Sequence, residues 1–345
     1  MRVLFDGYWW NEGPHSNRTV QREIVNAWIG LQSGDELHVL GRGRPIEGLP
    51  HGVTYHATPN WMRHPVSNAV GLRVVARRIK ADAIVGHNFG AGRRSLTFIH
   101  DLIFLEHPQW FTLLERLYLS LIGPMSRGSL LLTSSQAEAR RIDRLLKPRV
   151  ETSPVGLALP PELESEPVRP AGVPDNFFLT VGRLNVRKNL RTVLQAAAAS
   201  AIVGPEVPLV VVGSAHGRSD SIDGLARHLS ASGRLVSLAT CTGRELAWLY
   251  QNAIAFISMS LDEGFGMPLL EARHFRTPLI VGDTVVAQEI AGPNSTYVGV
   301  LDSDALARAM DRHVELLRPE PISRSWSDVT GRIRELAAQR VSQEG

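Results

Sequence analysis

Two glutamates separated by seven residues, Glu263 and Glu271, flank a Gly-Phe-Gly turn and a proline in the stretch DEGFGMPLLEA (262–272). An apolar run, AIAFISMS (253–260), precedes it and reads as a buried strand, and RTPLIVGD (276–283) beyond it reads as another. The carboxylates therefore belong to a strand-to-helix turn, where they can accept hydrogen bonds from hydroxyl groups of a ligand. Pro268 is expected as the first helical residue and Met267 as the cap. Methionine accepts no capping bond, which leaves the amides of 269 and 270 for a ligand. Gly264 and Gly266, on either side of Phe265, let the backbone approach something closely or take positive φ. Glu271 falls one place past the capping-box position, so local capping does not account for it; the mild preference for acids in a first helical turn is the alternative.

A second turn collects positive charge. FFLTVGRLNVRKNLRTVLQAAAAS (177–200) reads as strand, turn and helix, with Gly182 at the strand end and the helix opening near Asn189. Arg183, Arg187 and Lys188 then gather at a helix N-terminus, where cations oppose the macrodipole by roughly 0.3–1 kcal/mol each. A bound anion reverses that sign, and phosphate suits both the helix amides and the cationic side chains. Solvated side chains on a loop are the alternative. Neither the G-x-G-x-x-G fingerprint nor the P-loop pattern occurs here, which disfavours a nicotinamide cofactor or a Walker-type ATPase. A ligand that carries both phosphates and many hydroxyls would satisfy the two turns together, and a nucleotide sugar is such a ligand.

Elements that would position these turns recur along the chain. Strand-like runs at 2–5, 36–40, 83–86, 96–100, 130–134, 177–181, 208–213, 234–238, 253–257 and 278–282 alternate with helix-like segments at 18–31, 67–80, 136–146, 190–202, 244–252, 268–276 and 303–317. Such alternation means βαβ units, largely parallel sheets and an α/β class. A stretch with six prolines, 153–176, interrupts the pattern and reads as a linker or surface crossing. We expect an N-terminal Rossmann-like domain over 1–160, a linker over 161–176, a second such domain over 177–322, and a C-terminal helix over 323–345 that returns to the first domain. Ligands in open α/β sheets bind outside the carboxyl ends of the strands.

The stretch SLDEGFGMPLLEARHFRTPLIVGDTVVAQEIAG (260–292) resembles the donor-site signature of retaining glycosyltransferase family 4. VGRLNVRKNL (181–190) is similar to that family's diphosphate-binding turn, and FIHDL (98–102), LTSSQAEARR (132–141) and SPVG (153–156) resemble its N-terminal landmarks. The resemblance implies a GT-B fold: two Rossmann-like domains whose parallel sheets face each other across a cleft. It also implies that the second domain holds a nucleotide sugar as co-substrate, with no metal and no other cofactor. Glu263 would touch the donor sugar and Glu271 the ribose; Arg183 and Lys188 would neutralise the leaving diphosphate; His100 would reach donor or acceptor from the first domain. Gly13, Gly182, Gly264, Phe265, Gly266 and Met267 complete the implied donor-binding set. The implied activity is transfer of a hexose to a hydroxyl acceptor in carbohydrate or polysaccharide biosynthesis. A non-catalytic nucleotide-sugar-binding subunit of a glycosylation complex is the alternative. Departures from the family pattern are Gly13 standing alone in NEGPHSNRT (11–19), where members carry a glycine pair, Arg276 before Thr277 and Pro278, and Ala239-Thr240 after RLVSL.

Other candidates divide between chemistry and packing. DSD (302–304) resembles an Asp-x-Asp metal motif, but SDALARAMDRHVELL (303–317) is an amphipathic helix for which Ser303 or Asp304 is a ready cap. Tyr8, Trp9 and Trp10 could stack on an acceptor, although burial is the commoner fate of such rings. LLERLYLSLIGPM (113–125) is apolar almost all round, and burial is expected over contact with a membrane.

The 345 residues include 43% hydrophobic and 21% charged side chains, enough apolar material for two cores. A net charge of +3 without a basic run excludes a nucleic-acid footprint. The lone Cys241 excludes a disulfide framework. No apolar stretch reaches the roughly 18 residues of a membrane span, and the first residues lack a signal-peptide core. A cytoplasmic location follows as the expectation, with peripheral membrane contact left open.

Overall fold

The computed structural model describes residues 1–43, 48–214 and 223–344. Contacts divide the chain into two units, one of Met1–Glu106, Leu113–Ala158 and Arg324–Gly345, the other of His107–Thr112 and Leu159–Ser323.

The first unit is built on seven strands: β1 (Arg2–Asp6), β2 (Glu36–Arg42), β3 (Val53–Thr58), β4 (Ala83–His87), β5 (Ser95–Phe98), β6 (Leu130–Thr133) and β7 (Ser153–Pro154). They pair in the order β3-β2-β1-β4-β5-β6-β7, every neighbouring pair parallel. Helices cover both faces of such a sheet, so β5, β6 and β4 up to His87 read as apolar or small-residue runs, buried at every position. Two of these strands escape the sequence pattern. β3, VTYHAT, is a half-exposed edge, and β7 is only two residues with a proline, the kind of residue that edges tolerate.

The second unit has β8 (Phe178–Val181), β9 (Leu209–Val212), β10 (Leu235–Leu238), β11 (Ala255–Ser258), β12 (Leu279–Gly282) and β13 (Thr296–Val298), in the order β10-β9-β8-β11-β12-β13 and again all parallel. Its core joins Phe178, Leu209, Val211, Ile257 and Ile280 on the sheet to Val193, Leu194, Leu306 and Met310 on helices Leu190–Ala199 and Ser303–Asp311. Each such side chain contributes roughly 1.5–3 kcal/mol by leaving water.

From Leu159 onward the proline-rich stretch lies against this second unit, its first residues forming β7 of the first sheet. Leu159 and Leu163 pack on Ala247, Val168 N donates to Arg244 O at 3.1 Å, and Arg244 Nε returns a 2.8 Å bond to Glu166 O. The C-terminal helix, Trp326–Glu344, belongs to the first unit and packs on helix His15–Gly30. Arg334 Nε there donates to Asp35 Oδ2 at 2.7 Å, and Asp35 also takes the terminal amine of Met1.

Burial of 113–125 as a single helix does not occur; within it only Ile122 is buried. Pro124 lacks an amide proton and crowds the carbonyl four residues back, so one helix stops at Leu119 and another begins at Ile122. The first of them is solvated: Leu113, Leu114 and Leu117 are 68%, 80% and 59% exposed. Tyr8 and Trp10 are buried as expected, while Trp9 is half-buried. No helix among the described residues is long and apolar enough to cross a membrane.

Candidate active site

In the second sheet the strand order reverses at β8, whose neighbours are β9 on one side and β11 on the other. Chains leaving the carboxyl ends of β8 and β11 turn away to opposite faces, and the crevice between them is where open α/β sheets take ligands. Both turns singled out in the sequence lie there: Arg183 and Lys188 follow β8, and Glu263 follows β11.

Backbone and side-chain bonds hold the two turns together. Leu261 N donates to Arg187 O at 2.8 Å. Asn189, buried and left-handed at φ 51°, ends a short 3-10 turn, Val186–Lys188, and opens helix Leu190–Ala199. Its amide donates to Met259 O at 3.1 Å and to Val300 O at 2.5 Å, so one side chain ties the turns after β8, β11 and β13. Gly213, at the end of β9, supports the first turn by close approach. A Cβ at this position would sit 2.0 Å from Gly182 O, and its φ of 145° suits glycine alone. Gly182 in turn leaves room for the Lys188 stem, which a Cβ there would meet at 3.1 Å.

Lys188 Nζ forms an ion pair with Glu263 Oε1, their side chains 18% and 12% exposed. Burial alone would raise the Glu263 pKa, but the charges of Lys188 and then Arg187 outweigh it and bring the group down to about 2. Glu263 is thus an anion at neutral pH, held in place by a cation with two further protons to give.

Glu271 is buried and behaves in the opposite way. Burial raises its pKa to about 7, against the hydrogen bond from Tyr250 Oη (2.8 Å to Oε2) and the Lys188 charge, which favour the ionised form. Lys188 therefore acts on both carboxylates. The helix carrying Glu271 starts one residue earlier than expected. Gly266, at φ 87°, is the cap, Met267 is the first helical residue and Pro268 the second, because only glycine takes that left-handed entry without strain. No side chain caps this end, as expected, and of the two turn glycines only Gly266 has positive φ. Phe265 is buried beneath the turn.

At the first unit's carboxyl edge stands His100, just past β5. Its N–H donates to Asn88 Oδ1 at 3.2 Å, its ring stacks on His87 (5.6 Å between centroids), and its buried Nε2 has no protein partner. Burial, with help from the His87 and His64 charges, lowers its pKa to about 3, so the imidazole is neutral near pH 7. Glu138 holds the loop that follows, accepting from Leu102 N at 2.8 Å; the landmark LTSSQAEARR thus positions the segment after His100. Beside it, Asp6 ends β1 and accepts from His64 Nε2 and Asn68 Nδ2, both at 2.9 Å, and from Tyr8 N at 3.0 Å. His64 Nδ1 lies 2.9 Å from Tyr118 Oη. Gly13 packs against Trp9, whose ring leaves no room for a Cβ there.

Tyr250, Gly213 and Asp6 lie in no motif, and Asn189 and Glu138, though inside the motifs at 181–190 and 132–141, do not stand out there because the partners that give them their roles lie distant in sequence. Asp6, last residue of a strand at the switch point of the first sheet, is the one that position alone marks. The acid pair at 302–304 resolves as a cap made by Asp302, which accepts from Ala305 N at 2.8 Å, rather than by Ser303 or Asp304.

Two doubly wound parallel sheets with these connections are the fold of the GT-B glycosyltransferases. The structure of WaaG, a glycosyltransferase involved in lipopolysaccharide biosynthesis, superposes with a TM-score of 0.68 at 15% identity, covering 97% of this chain and 95% of that one. Residues 164–320 match the family described as Glycosyl transferases group 1, a span that contains Arg183, Lys188, Glu263 and Glu271. The serotype-specific mannosyltransferase WbdA of Escherichia coli is 26% identical over 257 residues, 68% of this chain and 31% of that protein. The O-antigen chain mannosyltransferase RfbU of Salmonella typhimurium is 31% identical over 153 residues, 44% of this chain and 41% of that one. The chain thus spans under half the length of either mannosyltransferase. The solved structure shows the GT-B fold, and the likeness to group 1 glycosyltransferases lies in residues 164–320.

Proposed function

We propose that this protein is a retaining hexosyltransferase of glycosyltransferase family 4, moving a mannose- or glucose-type sugar from a nucleotide diphosphate sugar to a hydroxyl acceptor on a glycan, lipid-linked saccharide or natural product. The observation that carries the reading is the ion pair of Lys188 with Glu263, within electrostatic reach of Glu271, at the β8/β11 switch point. A nucleotide sugar meets all three demands of that arrangement: diphosphate for Lys188 and Arg183, sugar hydroxyls for Glu263, ribose hydroxyls for Glu271.

In this reading the bond between the anomeric carbon and the diphosphate oxygen breaks as the acceptor oxygen bonds to the same carbon from the same face. The acceptor proton passes to the leaving phosphate oxygen. Lys188 and Arg183 stabilise the charge that develops there, and such a donor is worth about 2.7–4 kcal/mol to a transition state. With cations and helix amides at the diphosphate, the reading needs no metal. His100, neutral and with an unpartnered Nε2 at the carboxyl edge of the first sheet, is the first unit's candidate for contact with donor or acceptor, a role that rests on the family resemblance. The mannosyltransferase relatives favour a mannose donor. The lone cysteine and the exposed leucines at 113, 114 and 117 agree with a cytoplasmic enzyme that touches a membrane surface.

A non-catalytic nucleotide-sugar-binding subunit is the second reading, favoured by the single Gly13 and the Trp9 ring that fills the space beside it. Incubating the protein with GDP-mannose, UDP-glucose and dTDP-glucose, with and without saccharide acceptors, tests both. Transfer, or slow donor hydrolysis, with retained anomeric configuration supports the first reading; binding without turnover supports the second; inversion contradicts the mechanism.

A further inference from the structure

A second hollow lies at the other end of the first unit's strands. Its walls come from the segments that lead into β5 (Gly92, Arg93), β6 (Gly123–Ser129) and β7 (Lys147–Val150), together with the end of the C-terminal helix. These three strands are parallel neighbours, so the segments all sit at the amino edge, away from the carboxyl edge that bears His100. The half-open hollow holds about 780 Å³, a size suited to a small ligand.

Charge in this hollow has one sign. Arg93, Arg127, Lys147, Arg149 and Arg340 line it, and no aspartate or glutamate does. Arg340 is committed to the frame: its guanidinium donates to Arg93 O at 3.1 Å and Gly128 O at 3.0 Å, which fixes the loops bearing Arg93 and Arg127 against each other. The other four side chains are exposed, and none of them is ion-paired among the described residues. Four like charges around one cavity repel at a separation where screening is incomplete, and a multivalent anion removes that cost. Guanidinium groups in a fixed frame match the oxygens of a phosphate in particular.

We propose that this basic hollow is a binding site for a phosphate-bearing ligand, separate from the donor site and at the amino edge of the first sheet, opposite the edge that bears His100. The ligand is either a soluble phosphate compound or the phosphate of a lipid headgroup; the chemistry that recognises the two is the same.

The double variant Arg127→Ala/Arg149→Ala removes two exposed cations and leaves the Arg340 frame and the core intact. Two probes are used on the whole chain: inorganic pyrophosphate by calorimetry, and flotation with phosphatidylglycerol vesicles against phosphatidylcholine vesicles. Losing two charge-assisted contacts weakens binding on the order of tenfold or more. Because pyrophosphate also fits the turn after β8, the hollow is read as the binding event that Arg127→Ala/Arg149→Ala removes and Arg183→Ala does not. Pyrophosphate binding that behaves so identifies a soluble ligand; phosphatidylglycerol flotation lost in the double variant identifies a headgroup. Absence of both, or binding unchanged in the double variant, overturns the proposal. Sugar transfer by the double variant stays at the wild-type rate, so failure here is distinguishable from failure at the donor site.

Discussion

Tyr250 Oη donates a 2.8 Å hydrogen bond to Glu271 Oε2, phenol and carboxylate both buried, across 21 residues of sequence. One carboxylate oxygen is thereby fixed while the other stays available to a ligand hydroxyl. Burial still wins over this bond and over Lys188, and Glu271 titrates near neutrality, at about 7.

That raised pKa makes Glu271 a stability cost at high pH. The folded value, about 7, exceeds the unfolded value of 4.5, so the folded state holds a proton the unfolded state has lost between them, and stability falls as pH rises through that window. Two and a half pKa units correspond to on the order of 3 kcal/mol. Glu271→Gln keeps an acceptor for Tyr250 and removes the charge. Its melting temperature should exceed wild type at pH 8 and equal it at pH 4.

The same titration should govern the donor. A nucleotide sugar has no phosphate group titrating near pH 7, so an affinity change there reports the protein. Affinity should rise about tenfold from pH 6 to pH 8 as Glu271 ionises and accepts ribose hydroxyls. Calorimetry on Glu271→Gln should show a flat profile over that range.

Lys188 and Glu263 should behave as one unit. Lys188→Ala leaves the Glu263 charge mostly buried without its partner, a loss of about 3 kcal/mol. Adding Glu263→Gln to Lys188→Ala should restore much of that. A thermodynamic cycle by urea denaturation that finds the two changes additive would contradict the pairing.

Asp6 stabilises its edge of the first sheet through its bond to His64. Burial raises its pKa, but His64, His87 and Asn68 outweigh that and lower it to about 2, below the ordinary 3.8. Its contribution, about 2 kcal/mol, is complete above pH 3.8 and lost as pH falls through 2. Asp6→Asn should destabilise the protein at pH 7 and flatten the loss of stability below pH 4, measured by acid unfolding.

The parallel sheets were legible because their strands, buried on two faces, form apolar runs between helical periods. What the pattern lost were edges, where β3 is only partly buried and β7 and β13 are two and three residues long. Gly266 escaped as a cap because Pro268 serves equally well at the second helical position. The helix at 113–119 was misjudged because apolarity on all sides signals burial only when something covers it. At the site, the charged residues of the two turns could be read from their spacing. Tyr250 and Asn189 could not, since their roles depend on partners 21 and 70 residues away that only the fold brings near.

Turnover by Arg183→Ala tests the central claim most directly, because Arg183 is exposed on the turn after β8 and its removal should leave the fold intact. With a nucleotide sugar that the wild-type protein uses, the claim that this turn stabilises a leaving diphosphate predicts a fall in kcat of about 10²–10³-fold at unchanged melting temperature. Sugar transfer at the wild-type rate would contradict it.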